Sequence, residues 1–302
     1  MKTLYYCRYR FNKPALPPQK ILAISDVHFV DELTKKHQRA LDFAKETSPN
    51  LIVVTGDIID NIHVLKNTEN KKVLKNWFEQ LGKIAPVCIS LGNHDSYREK
   101  SGKPTKVGFR KYHYISDQKS PLPEYLANIP NVYLLDNNFY EDKSNFVFGL
   151  SLPPDYYDTP AHPGTEDRKV LLETLRKNAD HFKKMPANKT KILLVHSPIY
   201  MTDPDVREYL DEFDFILAGH MHNGVVPPVL QEIWPGHRGI FTANKRLFAN
   251  QNTRLGLYDN KFIALGAIIT MPDKKLDALF PTNVATIETG HNKLSIRRKY
   301  LK

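Results

Sequence analysis

Seven side chains of this sequence carry groups that bind transition metals, and they arrive in short clusters. Asp26 and His28 flank Val27, Asp57 follows Gly56, and Asn93 follows Gly92, with His94 and Asp95 next to it. His196 stands further along, and His220 and His222 flank Met221 after Gly219. Together they offer carboxylate oxygen, amide oxygen and imidazole nitrogen, with no thiolate. Hard and borderline donors of this kind suit Mn, Fe or Zn rather than a soft ion, and the imidazoles argue against a pure Mg or Ca site. Seven ligands are too many for one tetrahedral ion. Two divalent ions sharing a carboxylate and a water account for all of them, and a metal pair can activate water near neutral pH.

Groups so far apart in sequence need elements that bring them together. Apolar runs rich in branched residues precede them: ILAIS (21–25), LIVVTG (51–56), VCISLG (87–92), KILLVHS (191–197) and FDFILAG (213–219), with NFVFGL (145–150) as a sixth. Each has the length of a buried strand. Five of the six deliver a ligand or proton carrier at the C-terminal end, where active sites of open α/β sheets lie. In an extended strand i and i+2 face the same way, so Asp26 and His28 would grip one ion together, and His220 and His222 would repeat the spacing. Glycine before Asp57, Asn93 and His220 lets the chain turn sharply among crowded ligands.

Helical segments alternate with the first strands. Residues 32–47 place Leu33, His37, Ala40, Leu41 and Ala44 on one face, and residues 70–81 do the same with Val73, Leu74, Trp77, Phe78 and Leu81. That alternation predicts an α/β sheet. VPPVL, KFIAL, GAIITM and VATIETG in the second half predict a second sheet. Residues 96–114 hold Arg98, Lys100, Lys103, Lys106, Arg110 and Lys111 against Glu99 alone, and residues 151–168 are rich in Pro, Gly and Asp. Both read as loops or insertions. With no repeat, long linker or low-complexity tract, one domain over 1–302 is expected. It would carry an N-terminal strand or extension at 1–19, a basic insertion within 96–124 and a basic tail at 293–302.

Composition narrows the class. The 302 residues are 41% hydrophobic and 25% charged, which suits a folded chain rather than a disordered one. Only Cys7 and Cys88 occur, which excludes a disulfide scaffold. The formal charge of +10 suits an anionic partner without choosing among nucleotide, phospholipid head group and nucleic acid. No signal peptide and no apolar span of bilayer length is evident. The pattern favours a cytoplasmic protein. Peripheral membrane contact stays open through Tyr5, Tyr6, Arg8, Tyr9, Arg10 and Phe11, for which an aromatic edge strand is the simpler reading. His37, His63, His162, His181 and His291 read as surface, loop or packing residues. His113 and His237 are candidate substrate contacts.

The whole set, Asp26-Val27-His28, Gly56-Asp57, Gly92-Asn93-His94-Asp95, His196 and Gly219-His220-Met221-His222, resembles the calcineurin-like metallophosphoesterase superfamily. The likeness covers roughly residues 20–223. Within it the chain is most similar to a small bacterial branch of phosphodiesterases, some membrane-associated, although that branch often has GHTHGGQ where GHMHNGVV stands here. The resemblance implies a four-layered α/β/β/α sandwich with a dinuclear centre at strand ends. It implies that Asp26, His28, Asp57 and His222 hold the first ion, that Asp57, Asn93, His196 and His220 hold the second, and that Asp57 bridges them. His94 would face the substrate as general acid, with Asp95 orienting it.

The implied reaction is hydrolysis of a small anionic phosphate ester, nucleotide- or lipid-derived, by a water or hydroxide between two divalent ions (Mn, Fe or Zn). A phosphodiesterase is favoured on the branch likeness. A phosphomonoesterase would draw extra cations from Arg98, Lys100 or Arg110. A nuclease would use the basic and aromatic stretch 108–114, and a non-catalytic metal-bound scaffold is the fourth reading. A serine/threonine protein phosphatase is disfavoured, because Asp57 is followed by Ile58, Ile59, Asp60 and Asn61 with no arginine.

Overall fold

A computed structural model describes residues 4–96, 98–101, 111–114, 120–153, 156, 165–201, 203–222, 256–270, 274–278 and 280–301. Arg110 and His237 lie outside the described residues, as do the side chains of Arg98, Lys100 and His113.

The chain opens with β1 (Leu4–Asn12) and β2 (Lys20–Ile24), then α1 (Lys35–Thr47), β3 (Leu51–Thr55), α2 (Thr68–Ile84) and β4 (Val87–Ser90). A hairpin of β5 (Arg98–Ser101) and β6 (Lys111–Tyr114) follows, then α3 (Leu122–Leu126) and β7 (Val132–Leu134). Next come β8 (Asn138–Glu141), β9 (Asn145–Leu150), α4 (Thr165–Lys183), β10 (Thr190–Val195), α5 (Pro204–Leu210) and β11 (Phe215–Ala218). The last elements are β12 (Gly256–Tyr258), β13 (Phe262–Ala264), α6 (Lys274–Asp277), β14 (Thr282–His291) and β15 (Ser295–Leu301).

Two mixed sheets form the centre. One has seven strands in the order β15-β1-β14-β2-β3-β4-β7, and the other has six in the order β12-β13-β11-β10-β9-β8. The ligand-delivering strands β2, β3 and β4 are parallel neighbours in the first sheet, and β10 and β11 are parallel neighbours in the second. Parallel strands point their carboxyl ends the same way, so five strand ends open at one place. The layer between the sheets buries Tyr5, Tyr9, Ile21, Val53 and Cys88 against Val147, Leu194, Phe215, Leu217 and Ile263. Helices α1, α2 and α3 cover the outer face of the first sheet through Leu41, Phe43, Trp77, Phe78 and Leu122. Helices α4 and α5 cover the second through Leu171, Leu175, Val206 and Leu210. The result is the expected α/β/β/α sandwich.

The helices follow local rules. The first sheet-facing stripe of α1 is Ala40, Leu41, Phe43 and Ala44, and that of α2 is Leu74, Trp77, Phe78 and Leu81. Asn67 caps α2 by accepting from the amides of Glu69 and Asn70. α1 starts later than expected but ends where expected, and α2 extends past both expected bounds, because caps rather than apolar period set the limits.

Several expectations change. β1 is an inner strand between β14 and β15, so the edge is β15. The rings of Tyr5, Tyr6, Tyr9 and Phe11 are buried, so they are core and are not offered to a lipid surface. The expected basic tail folds as β15, where exposed Arg297, Arg298 and Lys299 line the edge and discourage pairing with another sheet. Part of the expected basic loop is the antiparallel hairpin β5–β6. The described part of GAIITM, residues 266–270, expected as strand, is an irregular buried stretch, because its amides bond across to the turn after β2: Ile268 donates to the Ser25 carbonyl at 2.9 Å and Ile269 to that of Asp26 at 3.1 Å. No helix among the described residues is long and apolar enough to cross a membrane.

Candidate metal centre

Each ligand-bearing strand stops before its ligand. β2 ends at Ile24, and Asp26 and His28 then adopt φ of 51° and 45°. Asp57 has φ 51°, and His220 and His222 have 68° and 46°. Five candidate ligands therefore sit in left-handed backbone, which is costly for side chains with a Cβ and tends to cluster at functional sites. The common orientation of Asp26 and His28 comes from these paired turns, not from the pleat of an extended strand. The turns are laced together: the amide of Asp26 donates to the Gly56 carbonyl at 3.2 Å, His28 to Asp57 at 2.9 Å and Gly219 to His196 at 3.0 Å. Gly56 has φ 80°, and a Cβ there would stand 2.7 Å from the Gly92 amide and the His196 ring.

Two groups of donors converge. Asp26, His28, Asp57 and His222 form one, and Asp57, His196 and His220 form the other, each with ligand atoms within 4.8 Å of one another. Asp57 belongs to both. Asn93 joins the second, its Oδ1 lying 3.1 Å from His196 Nε2. The same nitrogen is 3.1 Å from Asp57 Oδ2 and 3.1 Å from His220 Nδ1. His222 Nε2 lies 3.1 Å from Asp26 Oδ1 and 3.1 Å from His28 Nε2.

The protons decide what this arrangement wants. His196 Nδ1 is 2.7 Å from the Thr55 carbonyl, and His222 Nδ1 is 3.0 Å from the Thr270 carbonyl. A carbonyl only accepts, so each Nδ1 carries the hydrogen, and in the neutral ring Nε2 presents a lone pair. Those lone pairs face carboxylate oxygens, an amide oxygen and other imidazoles in a buried pocket. Acceptors facing acceptors need a positive charge between them. The donor set thus fits a pair of divalent cations, and the carbonyl partners supply the outer hydrogen bonds that fix metal-binding imidazoles.

Titration follows the same logic. Burial pushes Asp57 up, but the imidazoles of His196 and His94 override it and hold the carboxyl well below the usual range. Burial pushes Asp26 up, and His222 beside it brings it below its ordinary value. Burial depresses His196, yet Asp57 raises it to about 9. Burial and the neighbouring His196 charge lower His220 to about 4. Carboxylates stay ionised and draw positive charge inward, which bound cations would supply.

His94 stands beside this pocket, half-buried, with its ring edge-on to His28 at 4.5 Å between centroids. Its amide donates to Asp57 Oδ1 at 2.7 Å, and its Nδ1 lies 2.6 Å from the Asp60 carbonyl. Asp95 does something other than the expected orientation of His94. Its carboxylate accepts from the amides of Ile58 (2.8 Å), Ile59 (3.2 Å) and Gly92 (2.8 Å). It therefore ties the turn after β4 to the turn after β3. Burial, reinforced by the Asp57 charge, raises its pKa to about 7.

The family model for calcineurin-like phosphoesterases matches residues 19–224. The chain belongs to that family. Every residue of both donor groups, and His94 and Asp95, falls inside the matched span. An uncharacterized metallophosphoesterase of Campylobacter jejuni is 25% identical over 218 residues, which are 70% of this chain and 46% of the relative. The chain thus spans about half the length of the curated relative it matches. Among solved structures, a phosphopantetheinyl hydrolase of Mycobacterium tuberculosis aligns at 13% identity over 85% of this chain and 92% of that one, with a TM-score of 0.43. A dimetal phosphatase of Danio rerio aligns at 13% identity over 96% and 98%, with a TM-score of 0.41.

For this calcineurin-like phosphoesterase, motif reading passed over Asp60. Its carboxylate lies 3.8 Å from His94 Nδ1 and 3.9 Å from His28 Nδ1, and with them it forms a third cluster. The signal was present, since Asp60 stands three residues after Asp57 in the same turn. His37, read as packing, is buried and lies 2.8 Å from the Val27 carbonyl through Nε2, between Asp26 and His28. It accepts the Thr34 amide at 3.0 Å through Nδ1.

Proposed function

We propose that the chain is a metal-dependent hydrolase of small anionic phosphate esters, and specifically a phosphodiesterase. The observation that carries this reading is the convergence of lone pairs from Asp26, His28, Asp57, Asn93, His196, His220 and His222, with His94 beside them. Asp26, His28, Asp57 and His222 would hold one divalent ion, and Asp57, Asn93, His196 and His220 the other. Such a pair, as Mn, Fe or Zn, supplies Lewis acidity toward phosphoryl oxygens and lowers the pKa of water.

The protein's own groups do the rest. His94 keeps the Nδ1 proton on the Asp60 carbonyl, so the proton it transfers is on Nε2. That proton goes to the leaving alkoxide as the P–O bond breaks, a general-acid contribution of about 10²–10⁴ in rate. Asp60 and Asp57 hold His94 by ring and by amide, which fixes the direction of transfer. Asp95 keeps the two turns in register, so the acid and the ligands move as one unit. The diester preference rests on the likeness of the motifs to the phosphodiesterase branch.

The test is a substrate panel on protein reconstituted with Mn or Zn: bis-p-nitrophenyl phosphate, p-nitrophenyl phosphate, a cyclic nucleotide, a glycerophosphodiester and short single-stranded DNA. The reading expects diesters to be cleaved with higher kcat/KM than the monoester. Higher kcat/KM for p-nitrophenyl phosphate would replace it with a phosphomonoesterase. Cleavage confined to DNA, with affinity that falls steeply with salt, would replace it with a nuclease.

A further inference from the structure

The segment after β13 passes directly behind the first donor group and is gripped there at three successive amides. Ile268 and Ile269 donate to the carbonyls of Ser25 and Asp26. The third amide, of Thr270, donates to Asp277 Oδ1 at 2.7 Å. The carbonyl of the same Thr270 receives the Nδ1–H of His222 at 3.0 Å.

Asp277 itself is 5% exposed, and a carboxylate so buried needs a countercharge. Its other oxygen, Oδ2, faces Lys36 Nζ at 2.8 Å. Lys36 is the second residue of α1, and its side chain is also largely buried. Two ion pairs of reversed direction dock α6, the short helix that carries Asp277: Lys274 reaches Asp31 at 3.0 Å and Glu32 at 3.1 Å, just before α1. The far side of His222, Nε2, lies 3.1 Å from Asp26 Oδ1. A continuous path therefore runs from α1 through Asp277 and Thr270 to His222.

We propose that the buried Lys36–Asp277 pair positions His222 through Thr270, and so sets the affinity of the metal subsite formed by Asp26, His28, Asp57 and His222. This rests on the two-ion reading above. The pair fixes the Thr270 backbone, which fixes the ring plane and tautomer of His222 and presents its Nε2 lone pair toward Asp26. His196 Nδ1 donates its outer hydrogen bond to the Thr55 carbonyl instead, so the path leads to one donor group and not the other. Losing an outer hydrogen bond outright typically costs about 10–100-fold in metal affinity, and a displaced Thr270 carbonyl forfeits part of that.

The experiment is a Co2+ titration of chelator-stripped protein, read by visible d–d absorption, with the melting temperature of the stripped protein measured alongside. Wild type is expected to bind in two resolvable steps. Asp277→Asn, which keeps an acceptor for the Thr270 amide but loses the Lys36 ion pair, is expected to weaken one step by up to about 10-fold and leave the other within about twofold. Lys36→Met should weaken the same step, and Lys36→Arg should restore it. If Asp277→Asn does not fold, Lys36→Met with its Arg rescue carries the test. Two steps of wild-type affinity in the folded variants would overturn the proposal and leave the two-ion reading intact. Equal weakening of both steps, in parallel with a lower melting temperature, would reduce the pair to a structural brace and also overturn it. A wild-type protein that takes up no Co2+ would overturn both.

Discussion

His94 Nδ1 lies 2.6 Å from the backbone carbonyl of Asp60, in the turn that follows Asp57. A backbone carbonyl cannot take up a proton at working pH as a carboxylate can. It therefore fixes the His94 tautomer without competing for the proton, and it ties the proposed acid to the turn that carries Asp57. Substitutions of His94, and of Asp57 in that turn, have distinct expected outcomes.

Asp57→Ala removes the carboxylate common to both donor groups. Metal content is expected to fall from about two ions per chain to below one, with activity lost in parallel. Elemental analysis after dialysis checks it. Full metal content in the variant would show that Asp57 is not shared.

His94→Ala leaves every ligand in place, so metal content should hold. The rate with an alkyl leaving group is expected to drop by about 10²–10⁴, and by much less with p-nitrophenolate, which leaves without protonation. Steady-state kcat on the two ester types measures the difference. Equal losses would argue that His94 does not protonate the leaving group.

Gly92→Ala tests the crowding of the turns. A Cβ at Gly92 would stand 2.3 Å from the Asp57 amide and 2.3 Å from Asp57 Oδ1. Those are backbone and ligand atoms that cannot move aside cheaply. The variant is expected to fold, because the sheets lie elsewhere, yet to bind metal at least about tenfold more weakly. Isothermal titration with Mn2+ reads the change, and unchanged affinity would show that the turn can relax.

His37 gives a pH dependence of definite sign. Burial lowers its pKa from 6.5 to about 4, against a smaller raising effect of the Val27 carbonyl. A depressed folded value means that its contribution to stability is present above about pH 6.5 and is lost as pH falls toward 4. The full loss is about 3 kcal/mol. His37→Gln should flatten that part of the curve. Urea midpoints of wild type and variant between pH 7.5 and 4.5 test it, and parallel curves would show that His37 titrates normally.

Much of the donor cluster was legible in the chain itself, because its members follow strands and strands advertise themselves. LIVVT and KILLV are runs of branched residues whose length and flanks mark buried strands. Donor types were equally plain, since two cysteines leave only oxygen and nitrogen chemistry. Two sets of such strands with amphipathic helices between the first ones pointed to two sheets with helices, and the family resemblance implied the four-layered α/β/β/α order.

What the sequence could not decide was how the last few residues turn. Asp26 and His28 share an orientation through left-handed backbone, and the pattern of side chains cannot distinguish that from an extended strand. The partner of His94 is a main-chain oxygen of Asp60, and every residue has one, so residue types carry no sign of it. Asp95 was freed for another task because three amides of two separate turns happen to meet it. The aromatic N-terminus illustrates the same limit. Tyr5, Tyr9 and Phe11 are suited to a surface or a core, and only the pairing of β1 between β14 and β15 put them inside. Composition and local period set which groups are present and which elements carry them. Long-range hydrogen bonds and packing between the two sheets decide which of those groups touch, because such contacts depend on distances that no stretch of sequence encodes locally.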